Sequence, residues 1–295
     1  MSRNALKASF DAGEVTEDGR RLKPSLEVQR SLRVDVVLRP PAPLSAVPEP
    51  VPLSIVHEDA DVLVIDKPAG IVVHPSAGHA SGTLVNGVLH HLGVGPDGLP
   101  VLPGNDATRP GVVHRLDRDT SGVMVFTKTP AAAAAVAAQF QAHSIERRYV
   151  GVLSGSPAFE TKTVDTPHGR DPGDRKRFAP VAGGSSRRAV THVSVVERLP
   201  GAAVAHFTLE TGRTHQIRMH ARHLGCPIFG DALYGKPPRD ERRRRLWTGL
   251  GRHALHAEIL GFEHPRTGQK VRFTSPLSDE LQALLQALRA MSSVT

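Results

Sequence analysis

The chain has 295 residues, of which 39% are hydrophobic, enough for one large domain with a small addition or for two domains, and its single cysteine, Cys226, excludes an intrachain disulfide and a cysteine-based zinc cluster. Basic residues outnumber acidic ones by 37 to 29, a net charge of +8, which favours a nucleic-acid partner over a membrane surface. Because no apolar run approaches the roughly 18 residues of a membrane span and residues 1–10 lack a signal-peptide apolar region, we expect a cytoplasmic protein without membrane attachment.

The sequence divides into a small N-terminal module, residues 1–39, a linker, residues 40–52, and a main domain, residues 53–295. Six prolines in the linker predict a stiff, extended segment. The residue patterns of the module predict a helix, a hairpin and a strand, in that order, at 5–10, 13–19 and 32–36.

The main domain combines short β-like runs with a few helical patterns, which indicates a mixed α+β fold. Strands are predicted over 62–65, 123–126, 149–153, 189–197, 204–210 and 271–274. Helices are predicted over 84–92, 129–143 and 214–224, and from Ser278 onwards. Thr129 and Thr214 are expected to cap their helices. Residues 93–109 are predicted to be a loop, and the polar, arginine-rich residues 159–188 an excursion exposed to solvent.

Asp117 lies in the stretch 112–128, VVHRLDRDTSGVMVFTK, between Arg115 and Arg118. The Asp-Thr-Ser-Gly that follows has turn composition, because short polar side chains bond to local backbone groups and glycine accepts a positive φ. Asp117 is therefore predicted on a loop just before a core strand, with cations on both sides. From this local pattern alone a surface ion pair is the favoured interpretation, and a catalytic carboxylate is the alternative.

The stretch 209–235, LETGRTHQIRMHARHLGCPIFGDALYG, holds the second informative pattern. At helical spacing, an apolar face suited to the core is formed by Ile217, Ala221 and Leu224. The opposite face, which could line a cleft, carries His215, Arg218 and Arg222. An arginine there can hold a carboxylate through paired hydrogen bonds, which a lysine cannot match.

Four blocks in chain order resemble the RluA family of pseudouridine synthases: HRLDRDTSG, RRYVGVLSG, GRTHQIRMHARHLGCPIFGDALYG and HALHAEILGFEHP. The likeness covers about residues 53–276. It implies a catalytic domain built on a mixed, mainly antiparallel sheet with a central cleft. Residues 1–39 resemble the second half of an S4 RNA-binding module, although the helix that should open such a module is absent.

The resemblance implies an isomerase that converts uridine to pseudouridine in structured RNA. The uridine leaves the stack, its C1′–N1 bond breaks and C5 is joined to C1′, with no metal or organic cofactor. The blocks look closest to the ribosomal members, so 23S (large-subunit) rRNA is the preferred substrate, with tRNA as an alternative. A monomer is expected.

The family's functional residues carry over one at a time. Asp117 matches the catalytic aspartate, which acts on the ribose either as a nucleophile or as a base at C2′. Tyr149 matches the tyrosine that stacks on the target base, and Arg218 matches the arginine that pairs with the aspartate. Arg115 matches a residue that fills the gap left by the extruded nucleotide, and His215 is expected to contact RNA from the same cleft.

The arginine groups at 175–188 and 239–245 have two interpretations, solvated loops or phosphate contacts on a folded RNA. The second makes candidate RNA-binding residues of Arg242, Arg243, Arg244 and Arg245.

Two other classes of function compete with the synthase. A noncatalytic RNA-binding or ribosome-assembly factor could retain the fold and its cleft, but intact Asp117, Tyr149 and Arg218 argue against it. A metal hydrolase is suggested by the 16 histidines. However, His215, His220 and His223 lack the i, i+4 spacing of the H-E-x-x-H motif, so a metal hydrolase is disfavoured.

Overall fold

The structure is a computed structural model that describes residues 3–37, 45–76 and 78–291. The chain divides into two compact units, residues 1–44 and 45–295. Residues 40–44 of the predicted linker lie outside the described residues, whereas residues 45–52 belong to the larger unit. There Ala46 is fully buried, and the Asn86 side chain donates to the Val47 carbonyl at 2.6 Å.

The described part of the smaller unit consists of one helix and three short strands: α1 (Arg3–Asp11), β1 (Val15–Glu17), β2 (Arg20–Arg21) and β3 (Asp35–Val36). β1 pairs antiparallel with both other strands. The helix and the hairpin predicted here are confirmed, and Asp18 and Gly19 both have positive φ, as a two-residue hairpin turn requires. The strand predicted over 32–36 is confirmed only at its end. The likeness of this unit to an S4 module stays a prediction.

The larger unit contains ten strands and five helices among its described residues. The strands are β4 (Ser54–Glu58), β5 (Val62–Lys67), β6 (Ser121–Thr127), β7 (Glu146–Ser154), β8 (Thr161–Arg170), β9 (Phe178–Ala179), β10 (Arg187–Leu199), β11 (Ala202–Leu209), β12 (Leu255–Glu263) and β13 (Lys270–Thr274). The helices are α2 (Leu84–Leu92), α3 (Pro130–Gln141), α4 (Gln216–His223), α5 (Glu241–Leu250) and α6 (Asp279–Ala290). In the described parts of both units, no helix has the length and apolarity needed to cross a membrane.

All ten strands form one sheet in the order β4-β5-β6-β12-β7-β11-β10-β8-β9, with β13 paired to β12. Every neighbouring pair is antiparallel except β6 and β12, which run parallel. At this junction Gly122 has a φ of 116°, and a Cβ there would lie 2.1 Å from the carbonyl oxygen of Ala257. Only glycine fits the position. The predicted mixed, mainly antiparallel sheet is confirmed, and Asp117 lies just before the parallel junction.

Both faces of the central strands are buried, which is why their sequences read as continuous apolar runs. Alternate residues of β5 and β6 point to opposite sides of the sheet. Leu63, Ile65, Met124 and Phe126 join the larger core cluster, which also receives α2 and α6. Val62, Val64, Val123 and Val125 join a second cluster with Val136 of α3. The loop before β6 is thereby attached to a scaffold that is packed on two sides.

Three predictions about this unit need correction. Residues 159–188 are largely exposed, as predicted, but they are not an irregular excursion, because they contain β8, which pairs along β10, and β9. The helix predicted over 214–224 is α4, which begins after His215 and is not capped by Thr214. The arginine run opens a helix, α5, because the Asp240 side chain accepts the Arg243 N–H as an N-cap. The remaining predicted helices and strands are confirmed, with Thr129 bonded to the Ala132 N–H.

Candidate active site

A cleft of about 560 Å³ opens on the sheet beside the parallel junction. Its lining includes Arg115, Asp117 and Tyr149. A smaller cavity of about 50 Å³ is lined by the same three residues together with His215 and Arg218. The structure therefore brings together five of the predicted site residues, which come from three distant parts of the sequence.

One side of the Asp117 loop is held by a fully buried lysine. The ammonium group of Lys67 donates to the carbonyls of Pro68 and Arg118 at 2.8 Å each, and the Gly70 N–H donates to the same Arg118 carbonyl at 2.9 Å. Burial lowers the pKa of Lys67 to about 7. These bonds fix the backbone immediately after Asp117.

The other side of the loop is held by the segment that leads into β12. Arg252 donates to the carbonyl of Asp119 at 3.1 Å, and the Thr120 hydroxyl lies 2.7 Å from Nε2 of His253. Burial lowers the pKa of His253 to about 4, so this ring is neutral and acts as a hydrogen-bonding group. Hydrogen bonds from two sides thus hold the loop that carries Asp117.

Arg218 connects Asp117 to a second, deeper carboxylate. One Nη of Arg218 donates to Oδ2 of Asp117 at 3.0 Å. Its Nε and other Nη donate to the two oxygens of Asp231 at 2.7 and 3.0 Å. Burial opposes the charge on Arg218, but the two carboxylates outweigh it and raise the pKa of Arg218. Because Asp231 is only 1% exposed, it orients the guanidinium rigidly toward Asp117.

The Asp117 carboxyl is 17% exposed and ionised. Burial acts to raise its pKa, but His215, Arg218 and His253 act together to lower it, and the pKa of Asp117 ends below its ordinary value of 3.8. Burial also lowers the pKa of both histidines, so they are neutral at pH 7. Arg218 is therefore the neighbouring group that stays positively charged at pH 7, and it keeps the Asp117 carboxylate ionised.

Tyr149 lies in the middle of β7, opposite Phe207 of β11 and Ala257 of β12. Its ring forms part of the wall of both cavities beside Asp117. Burial raises the pKa of Tyr149, so the phenol keeps its proton at neutral pH. The residue presents a flat aromatic surface and a neutral hydroxyl to whatever enters the cleft.

The cleft carries a large positive charge. Its lining includes four arginines, at 109, 115, 147 and 213, whereas Asp117 is the only carboxylate among the described residues that line it. No carboxylate of the described residues pairs with Arg115, Arg147 or Arg213, and Arg109 has only a loose contact of 3.9 Å to Asp106. Such a cleft attracts a polyanion.

Three buried polar atoms at the cleft have no partner within the described protein. They are Nδ1 of His74, Nε of Arg109 and Nε of Arg147. Buried donors and acceptors in folded proteins are nearly always satisfied, so atoms left over in a cleft suit a polar ligand. Arg147 could have been found from the sequence, because in a strand it shares a face with Tyr149 two residues later.

The predicted RNA contacts on α5 are not part of this cleft. Arg243 bonds to Asp240 at 3.3 Å, Arg245 bonds to Glu241 at 3.1 Å, and Arg244 pairs with the same glutamate. None of Arg242 to Arg245 is among the residues lining either cavity. Their assignment as RNA-binding residues stays a prediction.

The histidines of α4 and its N-cap do not converge on a metal site. His215 lines the small cavity, whereas His220 is fully buried with its two nitrogens bonded to Thr191 and Thr166. Elsewhere, the ligand atoms of Asp59, Asp61 and His264 lie within 4.8 Å of one another. These groups are already bonded in the protein: Arg266 holds Asp61, and both His264 and His57 bond to Asp59.

Asp231, Lys67 and His253 escaped the sequence analysis. Asp231 and His253 lie within the blocks that carry the family resemblance. The signal that the sequence offered for each was a polar residue in a stretch expected to be buried. Lys67 comes two residues after the apolar run 62–65 and is the last residue of β5, so the sequence indicated the end of a strand and not a buried anchor.

The family model for RNA pseudouridylate synthase matches residues 61–223. An RNA pseudouridine synthase of Chloroflexus aurantiacus is 44% identical over 99% of this chain and 87% of its own length. Ribosomal large subunit pseudouridine synthase D of Xanthomonas campestris is 42% identical over 99% of this chain and 86% of its own length.

In fold, the chain resembles human RNA pseudouridylate synthase domain containing 4, with a TM-score of 0.60 at 24% identity over 80% of this chain and 93% of the human one. The family is shown by the two relatives, each of which matches 99% of this chain at more than 40% identity. The chain therefore belongs to the RNA pseudouridylate synthase family, in its RluA-type branch, and is an isomerase that makes pseudouridine in RNA.

Proposed function

We propose that this enzyme isomerises uridine in large-subunit rRNA and that Asp117 is its catalytic carboxylate. The observation that supports the role of Asp117 is the Asp117–Arg218–Asp231 arrangement in a positively charged cleft that Tyr149 lines. The proposed rRNA substrate is supported by related proteins from Xanthomonas campestris and Neisseria meningitidis, which are named for the ribosomal large subunit.

The reaction requires a carboxylate that stays anionic close to a sugar. The bond between C1′ and N1 breaks, a bond between C1′ and C5 forms, and the proton on C5 leaves. Asp117 takes part either by attacking C1′ or by removing the proton from C2′. Both routes need the ionised form, which Arg218 favours.

The target nucleotide has to leave its base stack before this chemistry starts. Inside a stem, C1′ and C5 of a stacked uridine are out of reach of a protein carboxylate, and extrusion costs a few kcal/mol. Arg115, exposed at the cleft edge and without an ion-pair partner among the described residues, is suited to occupy the vacated space. Tyr149 then meets the face of the extruded base, and its protonated hydroxyl is available near C5.

The proposal is tested by tritium release from C5-labelled transcripts, with Asp117→Asn against Asp119→Asn as a matched control. Asp119 is the next acidic residue on the same loop, but its carboxylate accepts a hydrogen bond from Arg118 at 2.9 Å. We expect Asp117→Asn to lose at least about 10³-fold in single-turnover rate and Asp119→Asn to stay near the wild-type rate. Full activity of Asp117→Asn would refute the assignment.

The substrate is tested separately by comparing large-subunit rRNA fragments with tRNA transcripts and by mapping pseudouridine in both. Conversion of specific uridines in the rRNA fragments alone is the expected outcome. Conversion confined to tRNA would overturn the rRNA part of the proposal and leave the role of Asp117 intact.

A further inference from the structure

A buried tyrosine links the candidate site to strand β9. The hydroxyl of Tyr234, a residue only 2% exposed, accepts the Phe178 N–H at 2.8 Å and lies 3.1 Å from Nδ1 of His215. His215 in turn lies directly before α4, with a left-handed φ of 58°. The bonds of this group determine which nitrogen of His215 carries the proton.

The Tyr234 hydroxyl has one proton to donate and already accepts one hydrogen bond from Phe178. If Nδ1 of His215 donated to it as well, its own proton would have no acceptor among the described residues, and an unsatisfied buried donor is costly. The satisfied arrangement has Tyr234 donating to Nδ1. Burial raises the pKa of Tyr234 to about 12, so this proton is retained at any physiological pH.

It follows that the proton of the neutral His215 ring lies on Nε2. That nitrogen lies 3.9 Å from Oδ2 of Asp117, which is too long for a hydrogen bond. The His215 side chain is 20% exposed, and it lines the small cavity with Asp117, Tyr149 and Arg218. An N–H donor thus lies beside the carboxylate without being bonded to it.

The ring of His215 has little freedom to turn away. The rings of Phe178 and Tyr234 contact it edge-on, each with a centroid separation of 5.7 Å. The following residue, Gln216, is anchored by bonds to the Thr211 hydroxyl and the Val190 carbonyl. The donor is therefore held in place before any RNA arrives, as a group that binds a reacting nucleotide needs to be.

We infer that Nε2–H of His215 donates a hydrogen bond to the 2′-oxygen of the target ribose, and that Tyr234 is a positioning residue that fixes this tautomer. The inference rests on the proposed function of Asp117. A carboxylate that acts at C1′ or C2′ lies beside the 2′-hydroxyl, and a donor 3.9 Å from that carboxylate reaches an oxygen on the same sugar. The 2′-oxygen is also the group that distinguishes RNA from DNA.

The tautomer is measured on the full chain by long-range ¹H–¹⁵N correlation of labelled histidine, with His215 assigned by its loss in His215→Gln. We expect the Nε2–H form in the wild type and a mixture of both tautomers in Tyr234→Phe. Tyr234→Phe should reduce the single-turnover rate about 10-fold with little change in RNA affinity. A pure Nδ1–H form in the wild type would overturn the inference.

The acceptor is identified by a cycle of protein and RNA changes. His215→Phe preserves the ring contacts and removes both nitrogens, and His215→Gln restores a side-chain N–H donor. With a target uridine, we expect His215→Phe to lose about 30-fold in rate and His215→Gln to recover part of it. With 2′-deoxyuridine at that position, His215→Phe should cause no further loss; where this RNA is not turned over, the same comparison is made on Kd.

An equal loss on both RNAs, or no loss on either, would overturn the inference. Asp117→Asn is measured in parallel. If it is inactive while His215→Phe is fully active, only the role of His215 fails; if Asp117→Asn is active, the proposed function fails first.

Discussion

Two arginine-rich surfaces of the larger unit differ in what their guanidinium groups already bind. In the cleft, no described carboxylate pairs with Arg115 or Arg147. On α5, Arg243 bonds to Asp240, and Arg244 and Arg245 share Glu241. The number of arginines in a stretch of sequence thus says little about phosphate binding, because nearby acids decide which cations are available.

The difference is largest at Arg147, which is buried and, among the described residues, hydrogen-bonded only to the backbone carbonyls of Leu209 and Glu210. A buried guanidinium without a carboxylate keeps an uncompensated charge, which an RNA phosphate can offset. Surface pairs such as those of α5 are worth little to stability and are screened by salt.

The largest effect predicted in this comparison is that of Arg218→Lys. A single ammonium group cannot bond to Asp117 and hold Asp231 in two places at once, so we expect a loss of about 10²-fold in single-turnover rate. The matched control is Arg289→Lys, since Arg289 makes the same bidentate contact to Glu197 on the exposed side of α6. The control should keep the wild-type rate; equal losses in both variants would show that Arg218 has no special role.

A neutral replacement, Arg218→Gln, should change the pH dependence of the reaction. In the proposed mechanism Asp117 acts in its ionised form and its pKa is depressed, so we expect activity to be lost only as the pH falls through that low value, below 3.8. In Arg218→Gln the pKa of Asp117 rises because the carboxylate loses its cationic partner, and the acid limb of the rate profile moves to higher pH. An acid limb at the same pH in both proteins would contradict Arg218 as the main cation.

A smaller effect is expected from Arg147→Gln, because one phosphate contact is removed and the chemistry is untouched. We predict an RNA affinity about 10-fold weaker and a salt slope of binding reduced by about one. Arg148→Gln is the matched control, since the next residue on the strand faces the other way and pairs with Glu258 at 2.8 Å. If both variants weaken binding alike, the distinction between free and paired arginines fails at this strand.

The smallest effect is expected from replacing Arg242 to Arg245 together with glutamine. Three of these arginines have acidic partners in or next to their own helix, so the salt slope should fall by about one or less, with an unchanged single-turnover rate. A fall of about three or four would show that α5 is a main RNA contact and would reverse the ranking of the two surfaces.

The sequence predicted which residues share the cleft better than it predicted the sheet around them. Asp117, Tyr149 and Arg218 could be named because each lies in a block that carries the family resemblance. Strand β12, which joins the two halves of the sheet, was missed, because its run LHAEILGFE alternates poorly and shifts register at Ala257. Strand β8 was missed since only two of its ten residues are buried, a pattern that looks like loop.

The features of the site that the sequence did not predict depend on contacts between residues far apart in the chain. The Lys67 bond to Arg118 spans 51 residues, and the Thr120 bond to His253 spans 133. No local pattern indicates such partners. Whether Arg147 has an acidic partner depends in the same way on which residues the fold brings near it, whereas the acids that pair on α5, Asp240 and Glu241, are local in sequence.

The most direct test of the central claim is a structure of Asp117→Asn bound to an rRNA hairpin that contains the mapped uridine. We expect this uridine to be extruded, with its base against Tyr149, its C1′ and C2′ nearest residue 117, and a flanking phosphate at Arg147. A uridine still stacked in the stem, or an RNA held on α5 with the cleft empty, would contradict it.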